Sequence, residues 1–348
     1  MKNEIEIKLL VNQTFANFFN QEINNYQILQ CHQRQLDNCY YDTHDHLFSQ
    51  LRSGLRVRKE NQQFIMTLKT AGSTAGGLHI RPEYNVHLAT AEPDLTLLQQ
   101  FAELQLPRPL SVLQTELQPI FRTDFSRHSW LLELENGSKI EVALDQGIIS
   151  AKQQQIEIKE IEFELQQGCI NDLLTFIQHL PLIDGIRLSA ISKAERGYLL
   201  AGIDEKRTFN FTTQWQHLCE HIPRDFTFIT SLFEYEQQLS EYTANLVPLD
   251  FINKPQETQQ LLNAFYQLYQ LDLQQLSLLD SIATQNNFET INQLFESNQR
   301  LYSNLQQLIK YYQLEQNNVL VIQRLQAIFH QARYVIRNIN WLKLLHQS

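Results

Sequence analysis

Glu4, Glu6 and Lys8 follow at intervals of two residues, and in extended backbone that spacing puts side chains on one face, successive ones roughly 6–7 Å apart. The same period joins Arg56 to Arg58, Arg81 to Glu83, Glu141 to Asp145, and Glu160 to Glu162 and Glu164. The alternate positions are apolar: Ile5, Ile7 and Leu9; Leu55 and Val57; Ile161, Phe163 and Leu165. The ionisable positions divide by chemistry. Glu4, Glu6, Asp145, Glu162 and Glu164 offer hard carboxylate oxygens of the kind that hold Mg²⁺ or Mn²⁺. Lys8, Arg56, Arg58, Lys69, Arg81, Arg127 and Lys193 suit a polyanion, arginine through its bidentate fork and lysine as a point charge. Both sets in one chamber imply a metal-bridged phosphate chain, neutralised and aligned for in-line attack by water.

A chamber requires that the charged faces turn inward. Taken singly, each face reads equally well as the solvated side of an open antiparallel sheet. Taken together, the apolar faces need cover, and helices packed on them let the sheet curl around its charged side. Strand alternation runs through 4–11, 54–60, 62–70, 79–88, 120–134, 138–145 and 156–166. Helical patterns occur near 12–23, 94–104 and 169–180, with Thr14 and Asp94 as starts of the first two.

All ten glycines lie between Gly54 and Gly202, and none falls in residues 203–348. Glycine suits the turns and bulges of sheets, whereas a Gln- and Leu-rich stretch without it suits packed helices. Residues 228–246, 257–274, 286–312 and 317–345 carry apolar positions at helical spacing, which predicts an antiparallel bundle. The expected division is therefore 1–202 and 203–348, an α+β chain with a β-barrel and flanking helices followed by an all-α domain.

The 348 residues suffice for two ordinary domains, and 43% hydrophobic with 19% charged residues is a globular composition. A net charge of −10 argues against a general nucleic-acid binder. No window reads as a membrane span, and the alternating start from Met1 to Lys8 lacks the apolar core of a secretory signal, so a cytoplasmic protein is expected. Cys31, Cys39, Cys169 and Cys219 form no CxxC pair and read as reduced thiols.

Glu4-Ile5-Glu6-Ile7-Lys8 matches the ExExK signature of the CYTH superfamily, the triphosphate tunnel metalloenzymes. Seven further blocks follow in order: Tyr40-Tyr41-Asp42-Thr43, Gly54-Leu55-Arg56-Val57-Arg58, Met66-Thr67-Leu68-Lys69-Thr70, Gly77-Leu78-His79-Ile80-Arg81-Pro82-Glu83-Tyr84, Leu144-Asp145-Gln146-Gly147, Glu160-Ile161-Glu162-Phe163-Glu164-Leu165 and Ser192-Lys193-Ala194-Glu195-Arg196-Gly197-Tyr198. Over residues 1 to about 202 the chain resembles the bacterial inorganic triphosphatases of the YgiF type, which carry a C-terminal helical CHAD domain. The resemblance implies an eight-stranded closed tunnel, dependence on Mg²⁺ or Mn²⁺, and hydrolysis of triphosphate to pyrophosphate and phosphate. Carried over by position, Glu4 and Glu6 hold or orient metal and attacking water, and Glu162 and Glu164 ligate the other metal site. Lys8, Arg56, Arg58, Lys69, Arg81 and Arg127 bind phosphates. Lys193 falls near the attacking water or scissile phosphate with Arg196 close by, the alternative for Arg196 being a surface residue of a short helix. Tyr40, Tyr41, His79 and Tyr84 are expected in the barrel wall, and Asp42-Thr43 at a strand end capping a turn.

The C-terminal half resembles CHAD domains less closely. Residues 205–348 hold ten Lys/Arg against thirteen Asp/Glu, and His221, His330 and His346 are scattered. The last helical stretch alone gathers basic residues, Arg324, His330, Arg333, Arg337 and Lys343, as a candidate polyphosphate contact in a degenerate or truncated CHAD-like domain. Two other functions fit the same residues. One is action on an organic triphosphate, as a thiamine-triphosphatase, nucleoside triphosphatase or adenylyl cyclase, which needs an apolar platform at a tunnel mouth. The other is a non-catalytic polyphosphate binder, which the paired carboxylates argue against.

Overall fold

The computed structural model describes residues 2–75, 77–203, 210–221, 226–280 and 288–346. It divides into two compact units, residues 1–169 with 189–208, and residues 170–188 with 209–348.

The first unit contains β1 (Lys2–Val11), β2 (Ile28–Thr43), β3 (Gly54–Glu60), β4 (Gln63–Lys69), β5 (Ser73–Ala75), β6 (Leu78–Leu88), β7 (Leu117–Glu133), β8 (Lys139–Ala151) and β9 (Gln154–Gln167). Eight of them follow one another in the order β1-β9-β8-β7-β2-β3-β4-β6, and β6 pairs back onto β1, which closes an antiparallel barrel. The short β5 lies beside β6. With every strand paired on both sides the barrel has no open edge.

Strand parity decides what lines it. Ile7, Leu9, Val57, Leu68, Val142, Ile161 and Phe163 point outward and are buried. Helix α1 (Gln13–Glu22) covers part of this surface with Phe15 and Phe19, four residues apart, and Phe19 meets the rings of Trp130 and Phe163 edge-on. Burying each such phenyl ring is worth about 1.5–3 kcal/mol. A second apolar layer joins Leu55, Val57, Met66, Leu68, Tyr84 and Val86 to Phe48 of α2 (Leu47–Gln50), to Leu95 and Leu98 of a 3-10 turn, and to Leu113 of α3 (Leu110–Glu116). Covered outside, the sheet is free to keep its ionisable residues within.

Helix α5 (Lys193–Ala201) packs on β7, β8 and β9, its first turn capped by Ser192, whose hydroxyl accepts from the Glu195 N–H at 3.1 Å. Its Tyr198 and Ala201 join Leu36, Tyr40, Phe121, Phe125, Ile149, Ala151 and Ile158 in an apolar cluster at the same parity as the charged residues. The helix comes so close that a Cβ on Gly197 would sit 2.1 Å from Phe121 Cε2.

Several sequence expectations shift. Strand β2 ends at Thr43 as expected, but its start is not in the pattern: residues 29–33 are exposed on both faces, so its first part has no apolar alternation. Strand β8 runs six residues past the expected end at 145. Gly147, which resembles a turn residue, lies within the strand where a Cβ would meet the Asp124 carbonyl oxygen at 2.2 Å. Helix α1 begins at Gln13, capped by Asn12 rather than Thr14. Asp94 does cap a start, but of a 3-10 helix, Leu95–Gln100.

The second unit holds α4 (Ile170–His179), α6 (Phe211–His221), α7 (Phe226–Ala244), α8 (Pro255–Asp280), α9 (Phe288–Glu315), α10 (Asn318–Phe329) and α11 (Ala332–His346). The stretch expected as one helix, 317–345, is two. At the break, the His330 carbonyl accepts from Gly185 N–H at 2.7 Å and the Asp184 carboxylate from Ala332 N–H at 2.9 Å, so outside partners replace helical hydrogen bonds. Arg337 leaves the expected basic face: its side chain is fully buried and paired with Glu236 and Asp272.

Candidate active site

Register brings the inward residues of neighbouring strands level. Glu4 lies opposite Arg81, Glu6 opposite His79 and Glu164, and Lys8 opposite Glu162. Asp145 stands between Arg127 and Glu160, Arg58 opposite Asn38, and Lys69 opposite Glu83.

Side chains close these levels into two groups. In the first, Arg127 donates to both oxygens of Asp145 at 2.7 and 2.6 Å and to Glu162 at 2.5 Å. Lys193 pairs with Asp145 at 2.7 Å and Glu162 at 2.9 Å, and also with Glu160. Lys8 lies 3.5 Å from Glu162 and 3.7 Å from Glu160, which also accepts from Arg196. Four cations thus meet three carboxylates. Burial disfavours the Lys193 ammonium, but Asp145, Glu160 and Glu162 outweigh it and hold its pKa well above the ordinary value. Burial likewise opposes the Glu162 carboxylate, and Lys193, Arg127 and Lys8 pull it well below the usual range.

In the second group Lys69 donates to Glu4 at 2.7 and 2.5 Å and pairs with Glu83 at 3.3 Å. Burial, with help from the Glu6 and Glu83 carboxylates, pushes the Glu4 carboxyl up despite Lys69. One cation is shared among several acids here, the reverse of the first group.

Arginines form the remaining wall. Arg58 donates to Asn38 at 2.9 Å, and Asn38 is fixed by donating to Thr123 at 3.0 Å. Burial and the neighbouring Arg56 and Arg127 bring the Arg58 guanidinium down to about 9. The buried Arg56 Nε has no hydrogen-bond partner among the described residues. Arg81 donates to His79 at 2.8 Å.

Every residue expected to do chemistry therefore sits on the inner face or on the helix that reaches it. Arg196 is a partner of Glu160 rather than a surface residue. Glu160 and Glu83 were visible in the same alternation but left out of the candidate set, and Asn38 and Thr123 carry no charge to flag them. The Asp145, Glu160 and Glu162 oxygens lie within 4.8 Å of one another, as do ligand atoms of the more exposed His44, Asp45 and Glu116. Asp42 caps α2, accepting from the backbone of Thr43, Phe48 and Ser49 at 2.7–2.9 Å.

A closed, charge-lined barrel with these levels defines a class of protein, and comparison with known sequences gives the family. The CYTH domain family model matches residues 2–198, and the chain belongs to that family. The inorganic triphosphatase of Haemophilus influenzae is 35% identical over 351 aligned residues, covering 99% of this chain and 97% of that protein. Among solved structures, a Hippeastrum protein described as having a dominant triphosphatase activity covers 58% of this chain and 98% of its own, at 18% identity and TM-score 0.40. The inorganic triphosphatase NE1496 covers 51% of this chain and 81% of its own, at 17% identity and TM-score 0.21.

Proposed function

We propose that the barrel hydrolyses inorganic triphosphate to pyrophosphate and phosphate with a divalent cation, Mg²⁺ or Mn²⁺. The observation that carries this reading is the cationic wall of Arg56, Arg58 and Arg127. Burial and the neighbouring Arg56 and Arg127 bring the Arg58 guanidinium down to about 9, and among the described residues no carboxylate pairs with it. A phosphate chain supplies an anion. Arg56 Nε is a donor already aimed without a partner. The Haemophilus relative, named an inorganic triphosphatase and matched along nearly its whole length, supports the same substrate.

The carboxylates fit a divalent cation in two places. Glu4, whose carboxyl is pushed up by burial despite Lys69, shares a face with Glu6, and Glu164 stands opposite Glu6 in register, so three carboxylates whose oxygens suit a hard cation lie together. Asp145, Glu160 and Glu162 offer a second set, where an ion would have to displace Lys193. A bound cation supplies charge neutralisation on phosphate oxygens and a more acidic water.

The chain's own residues do the rest. Arg56, Arg58, Arg81 and Arg127 grip non-bridging oxygens, Lys8 and Lys69 set the local charge, and Lys193 stabilises the negative charge that develops on transfer. Lys193 and Arg196, one turn apart on α5, enter from the same helix face, so the capped helix fixes both against Glu160. The aromatic rings inside the barrel favour a bare phosphate chain. Tyr40 stacks on Phe121 at 4.3 Å and Phe121 meets Tyr198 at 5.3 Å, so these rings pack on one another instead of offering an organic base a platform.

In this reading residues 1–202 are the catalytic domain and 203–348 a degenerate or truncated CHAD-like domain, whose polyphosphate contact would fall to Arg324, His330, Arg333 and Lys343 now that Arg337 is buried. The enzyme acts in the cytoplasm without a nucleic-acid or membrane partner.

The test is phosphate release from tripolyphosphate, pyrophosphate, ATP, thiamine triphosphate and long polyphosphate, with and without Mg²⁺ or Mn²⁺. Tripolyphosphate should be cleaved fastest, stop at pyrophosphate, and need the metal. Faster turnover of ATP or thiamine triphosphate moves the assignment to an organic ester. Binding of tripolyphosphate without turnover makes the barrel a binder.

A further inference from the structure

Arg81, like Arg58 on Asn38, is held by a neutral acceptor. Among the described residues no carboxylate pairs with it as Asp145 does with Arg127, and its guanidinium donates from Nη2 to His79 Nδ1 at 2.8 Å. Because Nδ1 accepts, the ring proton resides on Nε2, which donates to the Ser189 carbonyl at 3.3 Å. Thr74 Oγ1 lies 3.3 Å from the same Nδ1. Ser189 is anchored in turn, its N–H donating to the Lys8 carbonyl at 3.1 Å. The imidazole is 1% exposed, so its orientation is fixed by packing as well as by both ring nitrogens.

We infer that His79 is a positioning residue for phosphate binding: a neutral acceptor that aims Arg81 into the barrel without cancelling its charge. A carboxylate in this place would orient the guanidinium equally well but would neutralise it before substrate arrived. An apolar residue would leave it unaimed, and its rotamer freedom would be lost on binding. Imidazole avoids both outcomes provided it stays unprotonated. Its Nδ1 faces a guanidinium that can only donate, which keeps that nitrogen unprotonated and accepting. This role rests on the proposed phosphate-binding function of the lumen.

The experiment separates the two ring nitrogens. His79→Gln keeps a donor toward Ser189 but loses the acceptor at the Nδ1 position, whereas His79→Asn keeps the acceptor and loses the donor. For tripolyphosphate hydrolysis, His79→Gln should raise KM about tenfold with kcat within about threefold, and His79→Asn should stay within about threefold of the wild-type KM. In an Arg81→Ala background His79→Gln should add nothing further. If both His79 variants lower melting temperature and kcat together while KM stays put, the residue is wall and the inference is overturned. If Arg81→Ala raises KM but His79→Gln does not, the inference fails while the phosphate-binding reading survives. If Arg81→Ala itself leaves KM unchanged, that reading of Arg81 falls first and the inference with it. Should His79→Gln not fold, nitrogen NMR of the histidine rings decides: the unprotonated Nδ1 signal of His79 should move on Arg81→Ala, and an unmoved signal overturns the inference.

Discussion

In the barrel, Arg127 binds Asp145 and Glu162; in the helical unit, Arg337 binds Glu236 and Asp272. Both are buried arginines facing two carboxylates, but their surroundings differ. Arg337 uses every nitrogen, Nε to Asn298, Nη1 to Glu236 and Asn338, and Nη2 to Asp272, and its partners come from α7, α8, α9 and α11 itself. No nitrogen of Arg337 is left without a partner, and the cluster ties four helices in one register. Around Arg127 the cations exceed the carboxylates they touch, Arg56 Nε is unmatched, and Arg58 has only a neutral amide beside it. Burial of charge alone therefore does not mark a site. Cationic donors left over after the internal pairing is complete do, as at Arg56 Nε.

The sharpest way to break this comparison is to remove each central cation. Arg337→Met should cost about 3–5 kcal/mol in urea unfolding, because Glu236 and Asp272 are left buried without their partner. A loss below about 1 kcal/mol would mean the cluster does not hold the helices together. Lys193→Met should fold, since Lys8, Arg127 and Arg196 still balance Asp145, Glu160 and Glu162. Its loss should appear in tripolyphosphate turnover instead, about 10²–10³-fold in kcat. A variant that melts early but turns over normally when folded would reverse the assignment of the two clusters.

A smaller effect sharpens the contrast by pH. Burial and the Glu236 carboxylate push the Asp272 carboxyl up to about 8, against the pull of Arg337. A carboxyl with a folded-state pKa above its unfolded value of 3.8 binds its proton more tightly when folded. Its contribution is complete below that value and is lost as pH rises through about 8. Urea unfolding monitored on the helical unit should therefore weaken between about pH 4 and 8, by at most about 1.4 kcal/mol per pH unit, and Asp272→Asn should flatten the slope. A slope unchanged by that substitution places the titration elsewhere.

Much of the site was legible because strand parity is a local rule. Glu4, Glu6 and Lys8 share a face wherever that segment is extended, and the ionisable character of the face could be read without knowing what lay across from it. What escaped was set by residues far away in sequence. Glu160 gained its weight from Lys193 and Arg196, more than thirty residues later. Asn38 matters only because Arg58 and Thr123 flank it. His79 read as barrel wall until Ser189 and Arg81 were seen on its two nitrogens. Of strand β2 only the end at Asp42-Thr43 was legible, because its first part is exposed on both faces and carries no alternation. The single helix expected over 317–345 broke where partners from residues 184–185 replaced helical hydrogen bonds.

The sequence by itself determined which side chains could share a face, which half is sheet and which helix, and that acids and cations occur in comparable numbers along the strands. Only the tertiary structure decided which acid meets which cation. That pairing depends on register and closure, which bring charged side chains of distant strands within 4 Å of one another, and on α5, which carries Lys193 and Arg196 to them. It is there that charge complementarity is satisfied in one cluster and left incomplete in another, and a local pattern cannot encode that difference because electrostatic energy depends on distance in space rather than along the chain.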